Sequence, residues 1–213
     1  MLLRHGRYWD AGSTWTKTHR AWLASQHLVE PAAQRALEHY VAMLTSAEAR
    51  LCELERTLCI YCDEEPFCDA VTRLAAYRGI GDFGALVIAS EICDFARFPT
   101  ARSFMGFVGL GVCEHSSGES VRRGRLTRSG NHHVRTQLIE SAWCYRHRPA
   151  IGTALAKRQE SVPARTIERS MAAQRRLYAR YWKLTTHKSP TQVVLAAVAR
   201  ELAGFLWAEM TSA

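Results

Sequence analysis

The longest regular pattern of the chain runs from Pro31 to Cys59 and reads PAAQRALEHYVAMLTSAEARLCELERTLC. Its apolar residues recur at alternating steps of three and four, at Leu37, Tyr40, Leu44, Ala47, Leu51, Leu54 and Leu58. This spacing makes three heptads with apolar first and fourth positions, and after Pro31 neither glycine nor proline interrupts them. The pattern predicts one long helix that needs a partner helix. A core neighbour within the chain would produce the same pattern, but we favour a coiled-coil arm, formed within the chain or between protomers.

Residues 59–69, CIYCDEEPFCD, break this period and are predicted to be a connector. We therefore divide the chain into residues 1–69, a linker and helical arm, and residues 70–213, a second unit. Helical patterns dominate that unit at residues 70–77, 83–92, 101–108, 131–146, 163–187 and 193–210.

Residues 109–130 interrupt these helices and contain five glycines together with serine and arginine. They are predicted to form an irregular loop or a short hairpin. No run elsewhere is long enough for a convincing β-strand. The expected fold class is therefore mainly α, with a long coiled-coil-like arm followed by an α-helical domain that carries this Gly/Ser/Arg loop.

The composition, with 47% hydrophobic and 23% charged residues, is that of a globular protein and argues against disorder. No apolar run reaches the roughly 18 residues that a membrane-spanning helix needs. The first residues, MLLRHGRYWD, lack the apolar core and cleavage site of a secretion signal. We expect a cytoplasmic protein that does not contact a membrane.

The chain is basic, with 28 Lys and Arg against 20 Asp and Glu. Between Arg146 and Lys188 there are eleven Lys or Arg and only two acids. Such residues could simply be the solvated faces of helices. Their clustering in the C-terminal half nevertheless favours a nucleic-acid surface, to which Arg175, Arg176 and Arg180 on the helix at 163–187 would contribute.

The seven cysteines are an odd number without the spacing of a disulfide framework, so reduced thiols are expected. Cys59, Cys62 and Cys68 invite a zinc interpretation, but a structural zinc site needs four ligands, usually as two close pairs. No second pair lies nearby in the sequence. We therefore predict no metal site and interpret these cysteines as small apolar residues.

Residues 78–85 read RGIGDFGA and place Gly79, Ile80 and Gly81 between two predicted helices. The pattern resembles a helix-hairpin-helix, in which glycines allow close backbone approach and the second helix offers free N–H groups to a phosphate. A plain corner between helices, with a glycine C-cap, would give the same pattern. In the first case these three residues would contact the nucleic-acid backbone.

The segment GLGVCEHSSGE, residues 109–119, precedes a cluster of arginines. A serine beside glycine can present its hydroxyl on an exposed turn, and arginines can neutralise a phosphodiester. A serine nucleophile also needs a base or a metal, and the closeness of His115 and Glu114 in sequence does not establish that geometry. From the residues alone, a polar basic loop without catalytic function is the favoured interpretation.

Seven stretches between about residues 75 and 146 resemble, in order and spacing, the C-terminal domain of IS116/IS110/IS902-type transposases. They are residues 78–81, 89–95, 98–102, 107–110, 115–119, 127–131 and 135–140. Residues 2–8, 15–16 and 198–207 also resemble that family, so the resemblance covers essentially the whole chain. Seven ordered matches are far more specific than any single motif.

The resemblance implies that the serine of the Ser-Gly step, here Ser117, attacks a phosphodiester and forms a phosphoseryl-DNA intermediate. Ser116 is the weaker candidate. The resemblance also implies DNA and a guide RNA as partners, and an oligomer assembled through the helical arm, either of this chain alone or mixed with full-length transposase. The residues around the serine that would contact DNA or RNA are Arg122, Arg123, Arg125, Arg128, Asn131 and Arg135.

Members of this family begin with an RNase H-like (RuvC-like) domain whose four acidic residues bind magnesium beside the serine. The present sequence starts at what resembles the linker after that domain, and the acidic Asp63, Glu64, Glu65 and Asp69 in the connector are expected to be a solvated patch. The resemblance thus implies no cofactor in this chain, with Mg²⁺ only in the missing domain. Ser117 should be nearly inert alone.

The sequence therefore suggests a truncated copy, an internal-start product or a split partner of a transposase. Two alternatives stay open. One is a non-catalytic fragment that binds nucleic acid or regulates a full-length transposase, and the other is an inert transposon remnant.

Overall fold

The computed structural model describes residues 1–114, 123–127 and 129–212, with only the backbone of Glu114, Arg123 and Arg125. Residues 1–57 and 58–213 form two compact units. The described part is mainly helical, which confirms the predicted fold class. None of its helices combines the length and the apolar character that crossing a membrane requires.

The first unit begins with a short 3-10 turn, Leu2–His5, followed by α1 (Lys17–Ala24). Thr16 caps α1, because its side chain accepts a hydrogen bond from the amide of His19. Arg20 of α1 forms an ion pair with Glu48 of α2, the long helix that spans Pro31–Leu58. The predicted long helix is therefore present as one continuous element.

The apolar stripe of α2 is covered only near its start. Leu37 is buried, whereas Leu51 and Leu54 are 56% and 60% exposed and every residue from 49 to 58 is exposed. Helices in proteins owe most of their stability to the packing of an amphipathic face. A leucine stripe open to water thus fits the predicted coiled-coil arm, whose partner stays a prediction.

The connector after α2 packs within the second unit. Residues Cys59–Asp63 form a 3-10 turn in which Cys62 is buried, and the Cys62 thiol lies 3.7 Å from the carbonyl oxygen of Asp82. Burial raises the pKa of this thiol to about 11. The compact units consequently divide after Thr57, earlier in the chain than the domain boundary that we drew after residue 69.

The second unit consists mainly of helices of moderate length. In chain order its elements are α3 (Cys68–Ala75), α4 (Asp82–Ile92), α5 (Ala101–Phe107), β1 (Val112–Glu114), β2 (Arg123–Leu126), α6 (His132–Ala142), α7 (Thr153–Gln159), α8 (Ala164–Thr186) and α9 (Thr191–Thr211). The helix expected to reach residue 146 gives way to a 3-10 turn at Trp143–Arg146. Helix α7 was not predicted, because its seven residues are too few for a periodic signal.

Helix α9 is the centre of this unit and packs against α3, α5, α6 and α8. Its Val198, Leu202 and Leu206 are completely buried. A helix that is apolar on most sides is stable only inside a core, which explains why α9 is surrounded by its neighbours. The predicted apolar final helix is thus the element on which the others assemble.

A buried carboxylate fixes the C-terminal end of α9. Glu209 is 1% exposed, and nitrogens of Arg73 on α3 and Arg169 on α8 each lie 3.1 Å from one of its oxygens. The hydroxyls of Thr166 and Tyr77 also donate to it, at 2.6 and 3.4 Å. Burial by itself would raise the pKa of Glu209, but the hydrogen bonds from Thr166, Arg169 and Arg73 hold it below its ordinary value. We call these five residues the Glu209 cluster.

Candidate nucleic-acid interface

The turn between α3 and α4 contains three of the predicted contact residues, and two of them face inward. Gly79 has φ +86°, and a Cβ there would lie 2.7 Å from the carbonyl oxygen of Ser141 on α6. The Ser141 hydroxyl donates to the Gly79 carbonyl at 2.9 Å. Ile80 is completely buried. Gly79 is therefore required for close approach to α6, and Ile80 anchors the turn in the core.

Gly81, in contrast, is exposed and forms the N-cap of α4 without a side-chain hydrogen bond. The first amide groups of α4 thus have no side-chain cap from Gly81, which is compatible with phosphate binding, although Asp82 places an acid in the first turn. The assignment as a helix-hairpin-helix that contacts the nucleic-acid backbone stays a prediction.

The second group of predicted residues surrounds a two-stranded antiparallel hairpin. Val112 of β1 lies opposite Leu126 of β2, and Glu114 lies opposite Arg123, with an irregularity between these pairs. Ser117, Arg122 and Arg128 fall outside the described residues. Arg123 and Arg125 belong to β2, but the structure describes only their backbone. The predicted short hairpin, one of the two alternatives for residues 109–130, is therefore present at its described strands.

The base of this hairpin is held against α5. The Thr127 amide donates to Gly111 at 2.9 Å, and the Asn131 amide donates to the carbonyl oxygen of Phe107 at 2.9 Å. Gly130 lies between these bonds with φ +117°, and a Cβ there would collide with the same carbonyl oxygen of Phe107. Only glycine fits this position, so the hairpin leaves the core at a defined place.

We expect Gly130→Ala to lower the free energy of unfolding by about 2–4 kcal/mol, because both the backbone conformation and the contact with Phe107 become unfavourable. Gly106→Ala in α5 is the matched control, since a Cβ there meets nothing within 4 Å. In a helix, alanine should be neutral or slightly stabilising. Urea unfolding followed by circular dichroism measures both variants, and equal stabilities would contradict this description of the hairpin base.

Asn131 and Arg135, both predicted to contact nucleic acid, already have partners in the protein. The Asn131 side chain caps α6 by accepting from the Val134 amide at 3.0 Å, and its Nδ2 donates to Glu91 at 2.5 Å. An Nη atom of Arg135 donates to the Val108 carbonyl at 3.3 Å. These residues thus support the hairpin base, and their contact with nucleic acid stays a prediction. Sequence reasoning missed Glu91, although it lies in one of the family-like stretches.

The two groups of predicted residues lie at opposite ends of α4. Gly81 precedes its first residue, Asp82, whereas Glu91, which holds Asn131, lies in its last turn. At 1.5 Å per residue, Asp82 and Glu91 are separated by roughly 14 Å along the helix axis. The turn and the hairpin base are therefore too far apart to bind one phosphate group, and would contact different parts of a nucleic acid.

The three arginines of α8 that were predicted to contact nucleic acid differ in their ion pairs. Arg176 and Arg180 both pair with Glu201 of α9, at 3.0 and 3.2 Å. Arg175 lies on another face of α8 and forms no ion pair with residues of the described ranges. The three arginines therefore do not form one uniform cationic surface.

No metal site is visible in the part of the chain that the structure describes. Across residues 1–114, 123–127 and 129–212, no three His, Cys, Asp or Glu side chains are grouped so that they could hold a metal ion. This includes Asp63, Glu64, Glu65 and Asp69, and also Cys59, Cys62 and Cys68. These residues do not fit a magnesium centre of the kind that the family resemblance implies.

Comparison with known proteins agrees with the resemblance. The sequence profile of the transposase IS116/IS110/IS902 family matches residues 71–156, from α3 through the hairpin to α7. The chain is 38% identical over 207 residues to "Putative transposase y4qE" of Sinorhizobium fredii, which covers 97% of this chain and 50% of that protein. It is 28% identical over 165 residues to "Probable family 20 transposase" of Pseudomonas aeruginosa, covering 78% and 41% respectively.

The chain thus spans about half the length of the relatives that it matches. The aligned part nevertheless includes nearly all of its own residues, and the family profile covers the part of the candidate interface that runs from the Gly79 turn to the hairpin base. These matches support assignment of the chain to the IS116/IS110/IS902 transposase family.

Proposed function

We propose that this chain is the serine-bearing half of a transposase and acts in DNA transposition together with a metal-binding catalytic domain. The observation that carries the proposal is the family match over residues 71–156, because it includes the hairpin strands, the hairpin base and Ser117 between the strands in sequence. The fixed base supports it, since a catalytic segment must be held in place by its neighbours.

In the proposed reaction the Ser117 hydroxyl attacks the phosphorus of a phosphodiester. A Ser Oγ–P bond forms, the P–O bond to the departing sugar oxygen breaks, the hydroxyl proton passes to a base, and the departing oxygen takes up a proton. Reversal with a new sugar hydroxyl rejoins the strands. The arginines at 122, 123, 125 and 128 would neutralise the phosphodiester and the charge that grows on it.

The described residues do not offer a magnesium site, so no step of this chain is assigned to the metal. We propose that the metal-binding carboxylates belong to a RuvC-like domain outside these 213 residues. When bound there, Mg²⁺ would supply Lewis-acid stabilisation of charge on the phosphodiester. The partners of this chain would then be that domain, DNA and a guide RNA.

A second copy of α2, in the same chain or in a longer transposase, is the proposed partner of the exposed leucine stripe. In a parallel pair with this heptad register, Arg50 of one helix would face Glu55 of the other. An antiparallel pair would instead place Arg50 opposite Met43, Arg50 or Thr57 of the other helix, where it has no acidic partner. Charge therefore favours the parallel arrangement.

We expect Leu54→Glu to weaken self-association of the chain at least about a hundredfold, because pairing would bury unpaired carboxylates. Ala49→Glu adds the same charge on the opposite side of the heptad and should leave self-association unchanged. Sedimentation velocity over a range of protein concentrations measures both variants. Equal association of Leu54→Glu and the unsubstituted chain would exclude α2 as the contact.

The test of the proposed function is covalent capture of DNA. The purified chain is incubated with magnesium and end-labelled DNA from the termini of the insertion sequence, alone and with a RuvC-like domain supplied from a relative. A protein-DNA adduct on a denaturing gel only with the added domain would support the proposal. Salt-sensitive binding without an adduct in either mixture would favour the non-catalytic, regulatory fragment, and neither binding nor adduct would favour a remnant.

A further inference from the structure

Two tryptophans lie on the surface where the Trp143–Arg146 turn packs against the second half of α8. Trp182 and Trp143 are 46% and 37% exposed. The indole N–H of Trp182 donates to the Arg146 carbonyl at 3.0 Å, which fixes the ring relative to the turn. Tryptophan is highly buried on average in folded proteins, so two indoles held this open to water indicate a binding surface.

Two arginines, Arg146 and Arg175, accompany these rings. The guanidinium carbon of Arg146 lies 5.7 Å from the centre of the Trp143 ring. On α8, Arg175, Tyr178 and Trp182 follow one another at steps of three and four and therefore share one face of the helix. The surface thus alternates aromatic rings with guanidinium groups. We call these five residues the tryptophan surface.

Acidic residues are absent from the segments that build this surface. The sequence contains no Asp or Glu from Ser141 to Gln159, and none from Arg169 to Arg200. Glu201, the next acid, pairs with Arg176 and Arg180 on another face of α8. A protein partner with ordinary mixed charge would meet only cations here, whereas a polyanion meets complementary charge throughout.

We propose that the tryptophan surface binds unpaired nucleotides of a single-stranded nucleic acid, with bases stacked on Trp143 and Trp182 and phosphates held by Arg146 and Arg175. Exposed aromatic side chains beside a basic groove are the usual means of holding single strands, because every base has a face that stacks. In a duplex the bases are already stacked on one another. This inference rests on the proposed function in that both require nucleic acid as the partner.

The test compares the affinities of the full chain for a fluorescein-labelled oligothymidylate of about 16 nucleotides, a typical upper site size, and for a duplex of the same length. Fluorescence anisotropy should show that Trp182→Ala binds the oligothymidylate at least about fivefold more weakly, with little change for the duplex. Trp182→Phe, which keeps a stacking ring but loses the indole N–H, should retain most of the affinity.

Trp15→Ala is the matched control, because Trp15 is 58% exposed but belongs to residues 1–57. It should bind like the unsubstituted chain. If thermal unfolding shows that Trp182→Ala is not folded, Arg175→Glu replaces it, since Arg175 is exposed and its reversal should also weaken oligothymidylate binding about tenfold.

The outcomes separate this inference from the proposed function. Unchanged oligothymidylate affinity in a folded Trp182→Ala or Arg175→Glu variant, or binding of the duplex alone, would overturn the tryptophan surface and leave the proposed function standing. Failure of the unsubstituted chain to bind any oligonucleotide would overturn both. Where binding is lost as expected, an oligouridylate of equal length shows whether RNA or DNA is preferred, and either preference supports unpaired bases as the ligand.

Discussion

Replacing Ser117 by alanine should abolish covalent capture of DNA and strand exchange while leaving DNA affinity unchanged. The variant lacks the hydroxyl that would form the bond to phosphorus, and loss of a nucleophile lowers turnover by about 10⁴-fold or more. The hydroxyl is small and uncharged, so the electrostatic contacts that dominate affinity stay in place. The measurement is the denaturing-gel assay with magnesium and a supplied RuvC-like domain, with anisotropy on the same DNA for affinity.

Ser116→Ala provides the comparison, because it removes a neighbouring hydroxyl from the same segment. It should form the adduct at close to the rate of the unsubstituted protein. Strand exchange that survives in Ser117→Ala would exclude this serine as the nucleophile. Loss of exchange in Ser116→Ala alone would assign the reaction to the other serine.

Replacing Glu209 by glutamine should lower the free energy of unfolding by about 3 kcal/mol at neutral pH. Glutamine has almost the same shape but no charge, so the guanidinium groups of Arg73 and Arg169 would lose their buried counterion. Arg73 would keep its 3.5 Å ion pair with the exposed carboxylate of Asp69. The side chains of Arg73 and Arg169 are 19% and 24% exposed, so water replaces only part of their interaction with the carboxylate. Urea unfolding followed by circular dichroism gives the difference.

The pH dependence of that difference follows from the direction of the Glu209 pKa, which lies below its ordinary value of 4.5. A carboxylate with a lowered pKa stabilises the fold fully above the pKa of the unfolded chain. That contribution is lost as the pH falls through the lower pKa of the folded state. The two proteins should therefore differ most at neutral pH, and the difference in their free energies of unfolding should shrink as the pH falls below 4.5.

Glu201→Gln is the control for this prediction. Glu201 also lies on α9 and also pairs with two arginines, but Arg176 and Arg180 are 68% and 40% exposed. Exposed ion pairs contribute about 0–1 kcal/mol, so this variant should be close to the unsubstituted protein in stability. If Glu209→Gln lowered the free energy of unfolding as little as Glu201→Gln, the Glu209 cluster would not stabilise the end of α9 as described.

Local sequence patterns predicted most of the helices correctly. The heptads of α2, the apolar run of α9 and the basic helix α8 all appear as helices near their expected bounds. Such patterns are reliable because residues three and four apart lie on the same face of a helix, so a helix that buries one face must repeat its apolar residues at that spacing. Helix α7 lacked a signal because it contains only two turns.

The sequence also determined which reaction to consider, but only through resemblance. The pattern around Ser117, taken alone, favoured an ordinary polar loop, and it became a candidate nucleophile through seven ordered matches to the transposase family. No local rule identifies a nucleophile, because activation depends on groups that are distant in the chain. The role of Ser117 therefore stays a prediction.

Only the tertiary structure decided which residues far apart in the chain contact one another. The Gly79 carbonyl accepts a hydrogen bond from Ser141, 62 residues away, and the Asn131 side chain donates one to Glu91, 40 residues away. Glu209 is buried between arginines of two other helices, and Arg146 brings Trp143 and Trp182 into one surface. Periodicity within a helix shows which face is apolar but not which distant residue will meet that face, because this depends on the packing of the whole core.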